Sequence, residues 1–326
     1  MATPPRVQLV FGAGGIGEGT ITHAWTTGEQ TSELLDVLKE LEITELDSAA
    51  SSPPGSPRVS ERLLGESRAA GKGFVIDTKI ERTAISGGLS EAAIDSSLKK
   101  SLELLGVKQC NILYAHFPDP NTPVEESARA FDKHYRAGLF RELGLCNHSY
   151  KQVREWLQVC KRHNYVKPTV WQGHYNAIRR APETELFPFL KENVIRIHAY
   201  SPLAGGFLTG KVSLATEAGT LSGGRWEPGR FPFYIKAFDK PAIHTAMIAF
   251  CKKCDAAGVT PTEVSLRWIV HHSALGEGDA IILGASRLDQ LRSNVEFCKK
   301  GRLNKQLLEA YEELWKGVEK DPPEWF

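Results

Sequence analysis

Asp47, Lys79 and His116 each stand at the end of a short apolar run: Asp47 after "ITEL", Lys79 closing "FVIDTK", and His116 closing "NILYAH". Carboxylate, ammonium and imidazole are groups that carry protons to and from oxygen. An aspartate beside a lysine keeps the ammonium charged, and a histidine titrates nearest to neutral pH. If the chain brings these three ends together, the site can move a proton. If not, Asp47 and Lys79 are a structural ion pair, which says little about chemistry by itself.

What must position them is an alternation of strands and helices. Apolar or β-branched runs at 7–11, 43–46, 74–79, 111–116, 139–146, within 168–176, at 194–202 and at 279–286 read as eight strands. Helical patterns lie between them, at 31–42, 58–70, 90–105, 149–164 and 287–300 among others. Leu34, Leu35, Leu38 and Leu41 recur at helical spacing. Ser90 is placed to cap one helix, and Pro123 and Gly138 to start and stop another. Eight strand–helix units predict an α/β fold, a (β/α)8 barrel. The barrel is expected as a single domain over 1–326, with an extra C-terminal helix at "NKQLLEAYEELWKGV". In such a barrel Asp47, Lys79 and His116 end neighbouring strands at the C-terminal face, where barrel enzymes place catalytic groups. The stretch 208–234 would be a long loop on that same face.

Composition narrows the partners. The chain has 326 residues, 41% hydrophobic and 24% charged, with a formal net charge of +1. Its basic residues occur in pairs such as Lys99–Lys100, not in the clusters that nucleic acid requires. No apolar run approaches the ~18 residues that cross a bilayer. The start "MATPPRVQLVFGAGG" lacks a secretory pattern, and six scattered cysteines fit reduced thiols, so a cytoplasmic location is expected. Cys251 and Cys254 have CxxC spacing, but they fall in a helical run with no second pair, which favours packing over metal binding. Gly12, Gly14 and Gly17 match a dinucleotide-binding fingerprint. The helical pattern that should follow at once begins only near Thr31, so these glycines are expected to form a turn at a barrel mouth.

Beyond the three strand ends, further segments recur in order: "LLGE" at 63–66, "LGLCNHSY" at 143–150, "WQGHYN" at 171–176, "AYSPLAGGFLTGK" at 199–211, "GRF" at 229–231 and "ILGASRLDQLRSN" at 282–294. With these the chain resembles the aldo-keto reductase superfamily, most closely its aflatoxin-aldehyde-reductase branch. The resemblance covers essentially the whole chain. It implies a barrel that binds NADPH without a Rossmann fold and reduces an aldehyde or ketone, with Asp47, Lys79 and His116 catalytic. Asn147 and Gln172 match residues that hold the nicotinamide carboxamide, and Tyr200 the aromatic that stacks on the ring. Ser201, Leu203 and Gly205 match the pyrophosphate loop. Ser286, Arg287, Gln290 and Asn294 match the adenosine and 2′-phosphate site. The branch often forms dimers, so a homodimer is a possible assembly.

One position departs from that pattern. The family reads Asp-Thr-Ala-x-x-Tyr, and the tyrosine protonates the developing alkoxide. Here Asp47 is followed by "SAASS", which puts Ser52 at the tyrosine position, and the loop after it is longer. Three readings stay open. The first is an NADPH-dependent oxidoreductase with another proton donor, acting on a small, aromatic or secondary-metabolite carbonyl compound. The second is a redox-neutral dehydratase, isomerase or cyclase using Lys79 and His116. The third is a non-catalytic nucleotide-binding relative. His23 and Trp25, Trp226, Arg230 and Phe231 are expected to line the substrate pocket, with Phe233 and Tyr234 beside them.

Overall fold

The computed structural model describes residues 7–20, 22–82, 88–215, 226 and 232–323, with backbone alone at Pro232 and Phe233. In chain order, β1 (Gln8–Gly12) leads to a hairpin of β2 (Gly17–Gly19) and β3 (Thr22–Ala24). Then come α1 (Gly28–Glu40), β4 (Glu45–Asp47), α2 (Val59–Glu66), β5 (Val75–Lys79), α3 (Glu91–Leu105) and β6 (Cys110–Ala115). α4 (Val124–Arg136), β7 (Phe140–Cys146), α5 (Tyr150–His163), β8 (Pro168–His174), α6 (Leu186–Glu192) and β9 (Arg196–Tyr200) follow. The chain ends with α7 (Lys211–Leu214), α8 (Pro232–Phe238), α9 (Pro241–Ala256), α10 (Pro261–His271), β10 (Ala280–Leu283), α11 (Leu288–Lys299) and α12 (Lys305–Lys316). Eight of the strands close a barrel in the order β1-β10-β9-β8-β7-β6-β5-β4. This is the expected (β/α)8 fold, and α12 is the expected C-terminal helix.

The local signals act as their chemistry dictates. Ser90 accepts a hydrogen bond from the Ala93 N–H, and Gly106 ends α3 in the left-handed conformation. Ser149 and Gln152 form a capping box on α5. α1 buries Leu34, Leu35 and Leu38 on one face. Gly12 closes β1, residues 13–15 make a single 3-10 turn, and Gly17 opens the hairpin with φ 99°. The glycine triplet therefore builds a turn after a barrel strand. At Gly17 a side chain would also run into Val59. Several features differ from expectation: the hairpin, the short α2 that stops at Glu66, α7 and the start of α8 within the stretch 208–234, and α6 and α10 as separate helices. Cys251 and Cys254 lie buried along α9, and their spacing serves packing.

The chain divides into two compact units. The N-terminal unit holds residues 9–173 and 184–198, and it carries α1 to α6. Within it the strand register sets Gly12 beside Asp47, Asp47 beside Asp77, and Lys79 beside Tyr114. The C-terminal unit holds residues 1–8, 174–183 and 199–326. Its core is aromatic: Trp268 and Tyr311 are 5.1 Å apart between ring centres, and Arg180 covers Trp268 while pairing with Glu183 and Glu312. Among the described residues, no helix is long and apolar enough to cross a membrane.

Candidate active site

Asp47 and Lys79 meet inside the N-terminal unit. Both end barrel strands, and both are buried, at 8% and 4% exposure. The Lys79 ammonium donates to Asp47 Oδ1 at 2.5 Å and to the Ser48 carbonyl at 2.8 Å. Gln172, from the end of β8, donates to the same Asp47 oxygen at 2.9 Å. An ammonium carries three N–H donors. Two are used here, and among the described residues no acceptor takes the third.

His116 follows β6 directly. Burial, with Lys79 and Arg82 nearby, pushes its pKa well below the usual histidine value, and a hydrogen bond to the Ile80 backbone opposes that shift only in part. The ring is therefore neutral. Its Nδ1 is buried and has no hydrogen-bond partner among the described residues. Asn147, in the left-handed conformation with φ 62°, donates to the His116 carbonyl at 3.2 Å and closes this side of the site. Gln172 and Asn147 also both touch the Cys146 thiol. Burial pushes that thiol up to about 12, so it stays protonated.

A phenol does lie close by, but it faces elsewhere. Tyr114 is wholly buried, with Lys79 Nζ 5.2 Å above its ring centre. Its hydroxyl is 3.2 Å from His198 Nδ1, deeper in the same unit. Burial raises its pKa well above the usual tyrosine value. Gly144 makes room for this ring; a Cβ there would overlap it.

Ser52 sits in a loop that is anchored at every few residues. Ser48 and Ala50 continue the pairing with β5, through N–H bonds to the Asp77 and Lys79 carbonyls. Arg58 ends the loop in the left-handed conformation, φ 73°. Its guanidinium reaches Glu81, Glu61, Ser101 and Ser97, on α2, α3 and the turn after β5. The fully buried Glu61 in turn accepts from Thr78 Oγ, next to Lys79, at 2.6 Å. Sequence reasoning missed Arg58; its i,i+3 spacing to Glu61 was the one available signal. The Ser52 hydroxyl points toward Gly14, where an added Cβ would lie 3.5 Å from it. Beyond this loop the β2–β3 hairpin and residues 55–62 flank an open surface hollow of about 510 Å³, lined in part by Glu18, Thr20, His23, Ser56 and Arg62. His23 lines this hollow. Trp25 is 8% exposed, with its ring edge-on to Phe11 at 5.9 Å.

The remaining candidates belong to the C-terminal unit. Tyr200 is half-buried at the end of β9, its ring 5.4 Å from His174. Ser201 takes φ 55°, and its carbonyl accepts from Asn176 at 3.0 Å. Leu203 leads into a 3-10 turn in which Gly205 has φ 65°, and a Cβ at Gly205 would strike the Tyr234 ring. The Trp226 indole donates to the Gly205 carbonyl at 2.9 Å and lies among Phe207, Tyr234 and Phe238. Trp226 and Tyr234 therefore brace this glycine turn. Gln290 accepts from the Ser286 N–H, and Arg287 is exposed beside Asp289. Asn294 is 3% exposed, yet its Nδ2 has no protein acceptor among the described residues. A glycine turn closed to side chains, an exposed guanidinium and an orphaned buried amide fit a phosphorylated nucleotide. Arg230 and Phe231 lie outside the described residues, and so does the Phe233 side chain.

A closed parallel barrel with a buried Asp–Lys pair and a neutral histidine at its strand ends defines a class of barrel oxidoreductase. The Aldo/keto reductase family model matches residues 8–316, and the chain belongs to that family. It is 35% identical over 334 residues to human aflatoxin B1 aldehyde reductase member 2, covering 99% of this chain and 90% of the relative. It is 34% identical over 330 residues to oxidoreductase sirO of Leptosphaeria maculans, covering 99% and 98%. Human aldo-keto reductase family 7 member A3 is 35% identical over 293 residues, covering 87% and 88%.

Proposed function

We propose that this oxidoreductase is an NADPH-dependent carbonyl reductase in which the Lys79 ammonium does the work of the absent phenol, within one reductase domain over 1–326. The observation that carries this is the unused third donor of Lys79, whose other two go to Asp47 and to the Ser48 carbonyl. NADPH would supply the hydride, held by Asn147, Gln172, Tyr200, the 201–205 turn and Ser286, Arg287, Gln290 and Asn294. The chain's own residues do the rest. Asp47 and the Ser48 carbonyl fix the ammonium, and its free N–H donates to the substrate oxygen and then protonates the alkoxide. His116 is less suited to that role. A neutral ring that donates one N–H to the Ile80 carbonyl offers a lone pair at Nδ1, not a proton. It can accept a bond from a substrate hydroxyl and so orient it. Relatives whose names include aflatoxin B1 aldehyde reductase support an aromatic or secondary-metabolite aldehyde as substrate.

The decisive assay mixes purified protein with NADPH and a panel of aromatic aldehydes and quinones. Turnover is expected, and Lys79→Met should abolish it while nucleotide binding persists. Turnover that survives Lys79→Met removes the proposed role. A second reading draws on the same residues, since an ammonium with a neutral imidazole nearby is also an acid and a base. If no carbonyl is reduced but a hydroxy-carbonyl compound is dehydrated or isomerised without net redox change, that second reading is the right one.

A further inference from the structure

The barrel interior holds a second polar cluster. Side chains alternate along a strand, so Glu45 and Asp77 point to the same side as Asp47 and Lys79, one step nearer the N-terminal strand ends. His198 of β9 joins them. One ligand-type atom from each of Glu45, Asp77 and His198 lies within 4.8 Å of the other two. Asp77 is 0% exposed and His198 1%, and all three residues belong to the N-terminal unit.

A buried carboxylate beside a half-buried one is repelled by it unless a proton or a cation lies with them. Lys79 pairs with Asp47, and Arg196 with both oxygens of Glu142 at 2.6 and 2.7 Å. The surroundings orient the cluster as ligands are oriented. Asp77 Oδ1 accepts from the Asn111 amide at 2.9 Å and from the Ile112 N–H at 3.1 Å. Asp77 Oδ2 is buried with no donor among the described residues. His198 Nδ1 faces the Tyr114 hydroxyl, and Nε2 is buried with no partner among the described residues. Burial lowers the pKa of this ring to about 3, so it is neutral. With Nδ1–H donating to the phenol oxygen, Nε2 presents a lone pair. An outer hydrogen bond that fixes the histidine tautomer is the usual companion of a metal ligand.

We propose that Glu45, Asp77 and His198 form a binding site for a divalent transition-metal cation of the Zn²⁺ type. Two carboxylates and one imidazole suit such an ion, with water completing its shell. Its charge offsets the carboxylate repulsion, and the ion ties β4, β5 and β9 together. Tyr114 is a positioning residue for the histidine. The site is separate from hydride chemistry and stands whether or not the reductase reading does.

The test uses the full chain carrying Cys251→Ser and Cys254→Ser, stripped with a chelator and titrated calorimetrically with ZnCl₂. One ion per chain is expected. Asp77→Asn and His198→Ala, checked for folding by circular dichroism, should weaken binding roughly tenfold or more, and Tyr114→Phe by about 10–100-fold. Co²⁺ in place of Zn²⁺ gives a readout on the unmutated site, a visible spectrum of oxygen and nitrogen ligation. A thiolate charge-transfer band would instead assign the ion to cysteine and overturn the site. Absence of saturable binding, or equal affinity in Asp77→Asn and His198→Ala, would do the same and leave a proton shared between Glu45 and Asp77.

Discussion

An aliphatic hydroxyl is a far weaker acid than a phenol, so Ser52 cannot protonate an alkoxide as tyrosine does. The loop that carries it is nonetheless well fixed, and its Ser52, which the resemblance aligns with the family's tyrosine, has its hydroxyl 3.5 Å from where a Cβ on Gly14 would lie. Ser52→Tyr should therefore raise kcat by about 10²–10⁴, the span a positioned general acid usually supplies, with little change in KM. Steady-state assays on the best substrate of the aldehyde panel would show it; an unchanged kcat would mean that Lys79 already saturates the proton step. His116 makes a second prediction through its depressed pKa. The folded state keeps the ring neutral at pH values where the unfolded chain begins to bind a proton. Stability from this group is thus present above the ordinary histidine value and declines as pH falls below it. The rate should show no histidine step between about pH 6 and 8. A step in kcat near the ordinary histidine value, absent from His116→Ala, would contradict the burial argument.

At the scale of elements, the segment after β4 has a linker's composition and an anchored loop's structure. The difference is Arg58, whose fork joins α2, α3 and the turn after β5. Arg58→Ala would leave the buried Glu61 carboxylate without its cation, a loss of about 3–5 kcal/mol. Denaturant unfolding measures this directly, and a change below about 1 kcal/mol would show that Thr78 alone satisfies Glu61. β5 makes the opposite prediction. Asp77 has its pKa raised well above the ordinary aspartate value, by burial first and then by the charges of Glu45 and Asp47. The folded state holds that proton more tightly than the unfolded chain does. Its contribution is therefore complete at low pH and is lost as pH rises through the raised value. Asp77→Asn keeps an oxygen for Asn111 and Ile112 and removes the charge. In chelator, it should melt higher than the wild type at about pH 8, with the gap closing toward pH 5. A lower melting temperature at both values would mean that the carboxylate is needed for packing.

For the whole molecule, the strands were legible because short apolar or β-branched runs such as "FVIDTK" and "NILYAH" are long enough to read alone. The hairpin was not, because three-residue strands in "GEGTITHA" leave no period to detect. Asp47, Lys79 and His116 were legible as strand ends. Arg58 was not, since its partners Ser97 and Ser101 lie some 40 positions away and only the fold brings them close. The nucleotide residues share that difficulty: the resemblance names them, and the structure supplies the glycine turn and the orphaned Asn294 amide. Binding tests them as a set, because a ligand that binds only the folded chain raises its stability. At roughly a hundredfold excess over Kd, NADPH should add about 2.7 kcal/mol, a few degrees in melting temperature for a chain of this length. Arg287 offers the one charged fork among these residues, and it is exposed, with Asp289 its partner. A 2′-phosphate would compete with Asp289 for it, whereas NADH carries no such group. Arg287→Ala should therefore weaken NADPH roughly 10–100-fold and leave NADH unchanged. Equal losses for both nucleotides would place the 2′-phosphate elsewhere, and no thermal shift with either would remove the nucleotide from the proposed reaction.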